Sequence, residues 1–224
     1  MAIDPNESKP NDTKEFVNSV VKRLAKMTYI RPDEIPNIDL YMDQVTTFME
    51  EHLNDAKRYS DDKILTKTMI NNYAKNDLLP PPVMKKYSKD HMIMLIFIYY
   101  FKNILPISDI QSLLTPLSEN FFQNEDTISL DRIYKEIYNY ERGQMGDVAR
   151  SISRTQRDSE TLFSDVKDDG ERKYLQLFAL VCMLSFDVFA KKHVIENVID
   201  ELKTLQQSKD TTAKKNEKKS KKEH

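Results

Sequence analysis

Only three glycines occur in 224 residues: Gly143, Gly146 and Gly170. A chain built on alternating strands and helices usually spends many more on sharp turns and close backbone approaches. Neither G-x-G-x-x-G nor G-x-x-x-x-G-K-[ST] is present, so no nucleotide-binding loop is written here. Alternating β-branched runs between turn residues are also absent. Helix-compatible Leu, Met, Lys, Glu and Ile dominate instead, and the chain reads as all-α. Its length suits one large domain or two small ones.

The apolar runs bound the compartment. Residues 1–12, MAIDPNESKPND, are polar with two prolines and read as a disordered start rather than a secretory leader. The strongest runs are Met92–Phe101 and Leu177–Ala190. The second carries Ser185 and Asp187 and reads as too short for a bilayer. Both are expected to be helices buried on most sides. A cytoplasmic protein without a membrane partner follows. The lone Cys182 sits inside the second run, so it reads as a buried structural thiol and excludes a disulfide framework within the chain.

Periodicity places the helices. A first helix spans about Thr13–Met27 and a linker reaches residue 37. A second spans Ile38–Leu53, with Val45, Phe48, Met49 and Leu53 on one face. A short third helix, Lys67–Lys75, is capped by Thr66 and stopped by Pro80, Pro81 and Pro82. Ser88 caps a fourth that extends to about Asn103. Ser108-x-x-Gln111 reads as a capping box opening a fifth that ends near Leu114 or Pro116. Residues 118–206 form a second helical region. Its first helix carries Tyr134 and Tyr138 and is weakened or broken at Gly143 and Gly146. Its last opens at Asp168-x-x-Glu171 and reaches about Gln206. Residues 207–224 are Lys-rich, lack apolar packing residues and are expected to be disordered.

The candidate functional stretch is residues 64–87, ILTKTMINNYAKNDLLPPPVMKKY. Met69, Ile70, Tyr73 and Ala74 make the inward face of its helix. Thr68, Asn71, Asn72 and Lys75 recur at i, i+3, i+4 and i+7 and make the outward face. The net charge is −2, but residues 55–93 carry eight Lys/Arg against five acids and residues 118–202 eleven against seventeen. Positive charge is therefore concentrated beside the helix that carries the amides, as a nucleic-acid surface requires. Asn71 and Asn72 are the base-reading candidates, since an asparagine can bond adenine through two hydrogen bonds. Lys67, Lys75, Lys85, Lys86 and Lys89 would neutralise phosphates. Thr66 would add its hydroxyl, Thr68 completes the strip, and Tyr87 closes the loop.

The order L-T-x-x-x-I-x-x-Y-x-x-x-x-L-L-P-P-P, then Y-S-x-x-H, an apolar helix and P-I-S-D-I-Q-S-L-L resembles the DNA-binding head of the MerR family. More closely, the K-T-M-I-N-N-Y … L-L-P-P-P block is similar to the bacterial family called domain of unknown function 1836. The resemblance implies a winged helix-turn-helix over residues 38–117, with additional helices and a long C-terminal helix. The third helix would enter the major groove, and Lys85–Tyr87 would form a wing. Asn71-Asn72-Tyr73 stands where such heads usually carry an Arg beside the aromatic, and Asn76-Asp77 where they usually carry Gly. The wing is also shorter. The implied activity is sequence-specific transcription regulation by a homodimer on double-stranded DNA, with residues 118–206 dimerising or regulating. The effector is unknown.

No catalytic arrangement stands out: neither H-E-x-x-H nor an activated thiol setting is present, and the four histidines lack metal-ligand spacing. The expectation is a non-enzymatic protein without cofactor or metal. Its competitor is a protein-interaction module on the same scaffold. A helical small-molecule sensor, with an apolar cavity among residues 127–206, is a third reading.

Overall fold

The computed structural model describes residues 13–24, 30–124 and 128–220. The polar start at 1–12 and the last residues of the first predicted helix lie outside the described residues. The described chain holds seven α-helices and one two-stranded ribbon, so the fold is all-α. The helices are α1 Thr13–Leu24, α2 Met42–Leu53, α3 Lys67–Lys75, α4 Lys89–Phe101, α5 Ile107–Phe121, α6 Leu130–Glu160 and α7 Asp169–Ser220. The ribbon pairs β1, Leu40–Tyr41, with β2, Lys86–Tyr87, antiparallel, with Leu40 opposite Tyr87.

The core is built around α4. Every residue from His91 to Tyr99 is buried, as expected of a helix apolar on all sides. Val45, Phe48 and Met49 of α2, Ile70 and Tyr73 of α3, Ile110 and Leu114 of α5, and Leu130 and Tyr134 of α6 surround it. The same core takes in Ile30 and Ile35 before β1, and Ile199 of α7. It therefore does not stop at residue 117. The Tyr134 hydroxyl donates to the Ile30 carbonyl at 2.6 Å, tying residues 104 positions apart.

Several expectations give way to tertiary structure. The fifth helix does not end at Pro116. It runs to Phe121, and Asn120 Nδ2 donates to the Pro116 carbonyl at 2.7 Å. Nor does Ser108 cap it: Pro106 occupies the cap, and Gln111 reaches across to the Asn76 carbonyl at 3.2 Å. Gly143 and Gly146 do not break α6. A glycine costs a helix about 1 kcal/mol, and α6 is anchored on both sides of the pair, by buried Tyr134 and Tyr138 and by buried Gln156 and Ser159.

The largest correction concerns Leu177–Ala190. The run is helical, but it is not a core helix. Of its residues only Ala179 and Leu180 are buried, while Val181, Phe186, Val188 and Phe189 are exposed. Cys182 is exposed with them, not buried. The expectation that it is too short for a bilayer gives way as well: within Asp169–Ser208 an eighteen-residue window of α7 is long and apolar enough to cross a membrane, by length and composition alone. The helix continues to Ser220 rather than stopping near Gln206, since neither Gly nor Pro follows Gly170 to terminate it.

Candidate nucleic-acid interface

Helix α3 is held from both ends. Thr66 adopts extended dihedrals, and its Oγ1 accepts from the Met69 amide at 3.2 Å, satisfying one of the free donors of the first turn. At the other end Asp77 takes the left-handed conformation, φ 55°, in the position that glycine usually fills. The Leu78 amide then returns to the Tyr73 carbonyl at 2.9 Å, closing the helix in a Schellman turn. Leu78 and Leu79 are buried directly after it.

Ile70 and Tyr73 face the core, and burial raises the Tyr73 hydroxyl above its ordinary range. The rotation of the helix is thereby fixed, and Thr68, Asn71, Asn72 and Lys75 are all exposed. Neither packing nor another helix covers the strip.

The loop before α4 is a tight turn. Met84 and Lys85 carry φ values of 50° and 64°, and the Lys86 amide donates to the Val83 carbonyl at 2.9 Å. Two successive left-handed residues between a bridged pair make the reverse-twisted turn that suits a hairpin. Met84, 88% exposed, stands at its tip with Lys85 beside it.

The ten predicted contact residues therefore divide. Thr68, Asn71, Asn72 and Lys75 share one uncovered face. Lys85 is exposed on the turn, and Lys86 is half-buried with its ammonium 5.4 Å from the Tyr41 ring centre. Lys67 is exposed but ion-paired with Asp43 of α2. Thr66 is half-buried and occupied with its cap.

Two residues leave the candidate surface. Tyr87 is 2% exposed, packed edge-on against His91 at 5.4 Å, and cannot reach a ligand. Lys89 is half-buried and paired with Asp131 of α6 at 2.9 Å. Burial pushes the Asp131 carboxyl up, but hydrogen bonds from Lys135 and Lys89 outweigh it and hold the group below its ordinary range.

Lys89 and Asp131 belong to a separate cleft of about 1380 Å³, between the segment after Ile30, the start of α4 and the first turns of α6. Arg31, Arg132, Lys135 and Arg142 line it together with Asp33 and Asp90. Its charges alternate, and Arg31 is spent on Asp33 at 2.5 Å. The i, i+4 pair Asp131/Lys135 was the available signal for one wall. The rest comes from residues about 100 positions apart.

His91 was also missed. It is buried at the third position of α4, where Nδ1 accepts from the Ser88 amide at 3.0 Å and completes a capping box with a ring in place of the usual Glu or Gln. Burial lowers its pKa below the ordinary histidine value, against smaller opposing contributions from the Pro81 and Pro80 carbonyls. Among the described residues no group of three His, Cys, Asp or Glu could hold a metal ion.

Residues 30–137 match the family model described as "Domain of unknown function (DUF1836)". The matched DUF1836 segment begins at the first core residue, Ile30, and ends three residues after Tyr134, the last core residue before α7. It contains α2 to α5, the ribbon and the start of α6, and so the whole candidate surface. No curated protein and no solved structure matches the chain.

Proposed function

We propose that this chain is a non-enzymatic, cytoplasmic DNA-binding transcription regulator whose DUF1836 segment works as a MerR-like winged helix-turn-helix head. In this reading α2 and α3 form the helix pair, α3 enters the major groove, and the Val83–Lys86 turn is a minimal wing. The observation that carries it is the uncovered strip Thr68–Asn71–Asn72–Lys75 on a short helix whose opposite face is locked into the core. Two amides and a hydroxyl flanked by lysines are groups that read base edges and hold phosphates. Asn71 and Asn72 would read bases; Lys75, Lys85 and Lys86 would bind phosphates, while Lys67 stays paired with Asp43. One head offers few cations, so useful affinity calls for a homodimer on a two-fold site of double-stranded DNA. Selection of bound fragments from genomic DNA followed by footprinting tests the reading. A protected palindromic site supports it, and recovery of no enriched sequence at low salt removes it.

One observation favours a second reading, a protein-interaction module on the same scaffold. The turn tip presents apolar Val83 and Met84, and Ile38 lies 69% exposed. Such side chains suit a protein partner better than a phosphate backbone. Pull-down from extract with and without nuclease separates the two: partners retained after nuclease treatment favour this alternative.

A further inference from the structure

The apolar run of α7 is almost uncovered: an eighteen-residue window within Asp169–Ser208 is only 6% buried. The chain holds the helix at two places. Near its start Gln176 donates to the Glu160 and Leu162 carbonyls at 2.8 and 3.0 Å, and Ala179 and Leu180 are buried a turn later. Farther on, Ile199 joins the main core and Lys203 pairs with Asp109 of α5 at 2.9 Å.

Tyr174, Phe178, Val181, Phe186, Val188 and Phe189 are all exposed. At about 100° per residue they sweep about 160° of the helix circumference. Cys182 lies within that sweep and is exposed as well. The one charged residue of the run, Asp187, falls on the opposite side with Gln176. A helix that packs on its own domain or on one partner helix needs a stripe of about 100°, so a single helix would leave part of this arc in water. A fluid hydrocarbon layer moulds to the whole of it.

The ties at both ends decide how such a layer is met. A membrane-crossing α7 would draw in α6, which contacts it and carries eight charged side chains between Glu141 and Glu160. Charges of that number are too costly in the bilayer interior. The contact is therefore one-sided, with the helix lying along the surface. Charge indicates which surface. Helix α7 runs unbroken to Ser220, and over residues 209–220 it carries five lysines against two acids. An inserted apolar face and a basic segment are the two signals that together hold a peripheral protein on anionic lipid.

We infer that α7 lies in the plane of an anionic phospholipid bilayer, with the arc from Val188 through Phe178 to Phe186 sunk between headgroups and acyl chains. This runs against the sequence expectation of a chain without a membrane partner, which took the run for a buried helix. It does not rest on the regulator reading, and its test contains no DNA, so either can fail alone.

The experiment uses the full chain and sedimentation with vesicles, either pure phosphatidylcholine or equal parts phosphatidylcholine and phosphatidylglycerol. The wild-type chain is recovered with the mixed vesicles and far less with the neutral ones. Phe186→Glu with Phe189→Glu lowers recovery by at least about tenfold, since burying one phenylalanine is worth about that much. Its thermal unfolding stays unchanged, because both side chains are exposed. Replacing Lys214, Lys215, Lys218 and Lys219 together by Gln brings mixed-vesicle binding down to the neutral-vesicle level. An environment-sensitive dye on Cys182, the only cysteine, shifts to the blue with mixed vesicles. The same dye on Asp187→Cys in a Cys182→Ser background does not. Absence of the chain from both vesicle pellets overturns the inference, whether the chain is then monomeric or self-associated. So does wild-type binding by the double-Glu variant. Equal blue shifts at positions 182 and 187 overturn it too, since they report a helix surrounded by lipid.

Discussion

The proposed DNA binding would carry a salt dependence set by which lysines the fold leaves exposed. Lys75 and Lys85 are exposed, and Lys86 is half-exposed beside the Tyr41 ring. Lys67 is engaged by Asp43, and Lys89 by Asp131 on another side of the molecule. Three lysines per head give six phosphate contacts in a dimer. The slope of log K against log salt is then about −5.4, at about −0.9 per phosphate. Raising salt from about 50 to 200 mM should weaken binding about 10³-fold. Lys75→Ala removes one contact per head and should bring the slope to about −3.6. Lys89→Ala should leave it at the wild-type value, because that ammonium is spent on Asp131. Asn71→Ala should leave the slope alone and cost about 1–3 kcal/mol on the selected site but nothing on random DNA. Fluorescence anisotropy with a labelled duplex across a salt series measures all of these. Equal slopes for Lys75→Ala and wild type, or a slope change in Lys89→Ala matching that of Lys75→Ala, would refute the assignment of α3 as the DNA face.

Three stability predictions follow from the core. His91 is buried neutral with a lowered pKa, so the unfolded chain binds the proton first as pH falls through about 6.5. Stability should drop below that pH, by at most about 1.4 kcal/mol per pH unit, until the folded-state pKa is crossed. His91→Gln keeps the capping box and should remove this slope in urea titrations between pH 7.5 and 5.5 (an interval of about two units around the ordinary histidine pKa); an unchanged slope would place its origin elsewhere. Tyr134→Phe loses the bond to the Ile30 carbonyl and should cost about 1 kcal/mol by chemical denaturation. Leu95→Ala, at the centre of α4, should cost about 2–5 kcal/mol, and a loss below about 1 kcal/mol would mean that α4 is not the core.

How much of this was legible in the sequence depended on how locally each feature is determined. Helix α3 was readable to its ends, because Thr66 caps it and Asp77 and the prolines stop it within a few residues. The exposure of Asn71 and Asn72 follows from the same local logic, once Ile70 and Tyr73 are taken as inward. Tyr87 and Lys89 lie only two residues apart, yet neither joins the surface. Their facing is set by pairing with Leu40 and by Asp131, more than forty residues away in sequence. The cleft and the place of His91 in the core are hidden for the same reason. Helix α7 fails differently. Its apolar run is strong, but an apolar run states only that something covers it. In α4 the cover is the rest of this chain, and nine successive residues vanish from solvent. In α7, among the described residues, only Ala179, Leu180 and Ile199 are fully buried. Between those two cases hydropathy is nearly silent. What separates the two helices is burial: α4 is enclosed from His91 to Tyr99, whereas the apolar window of α7 stays almost wholly exposed.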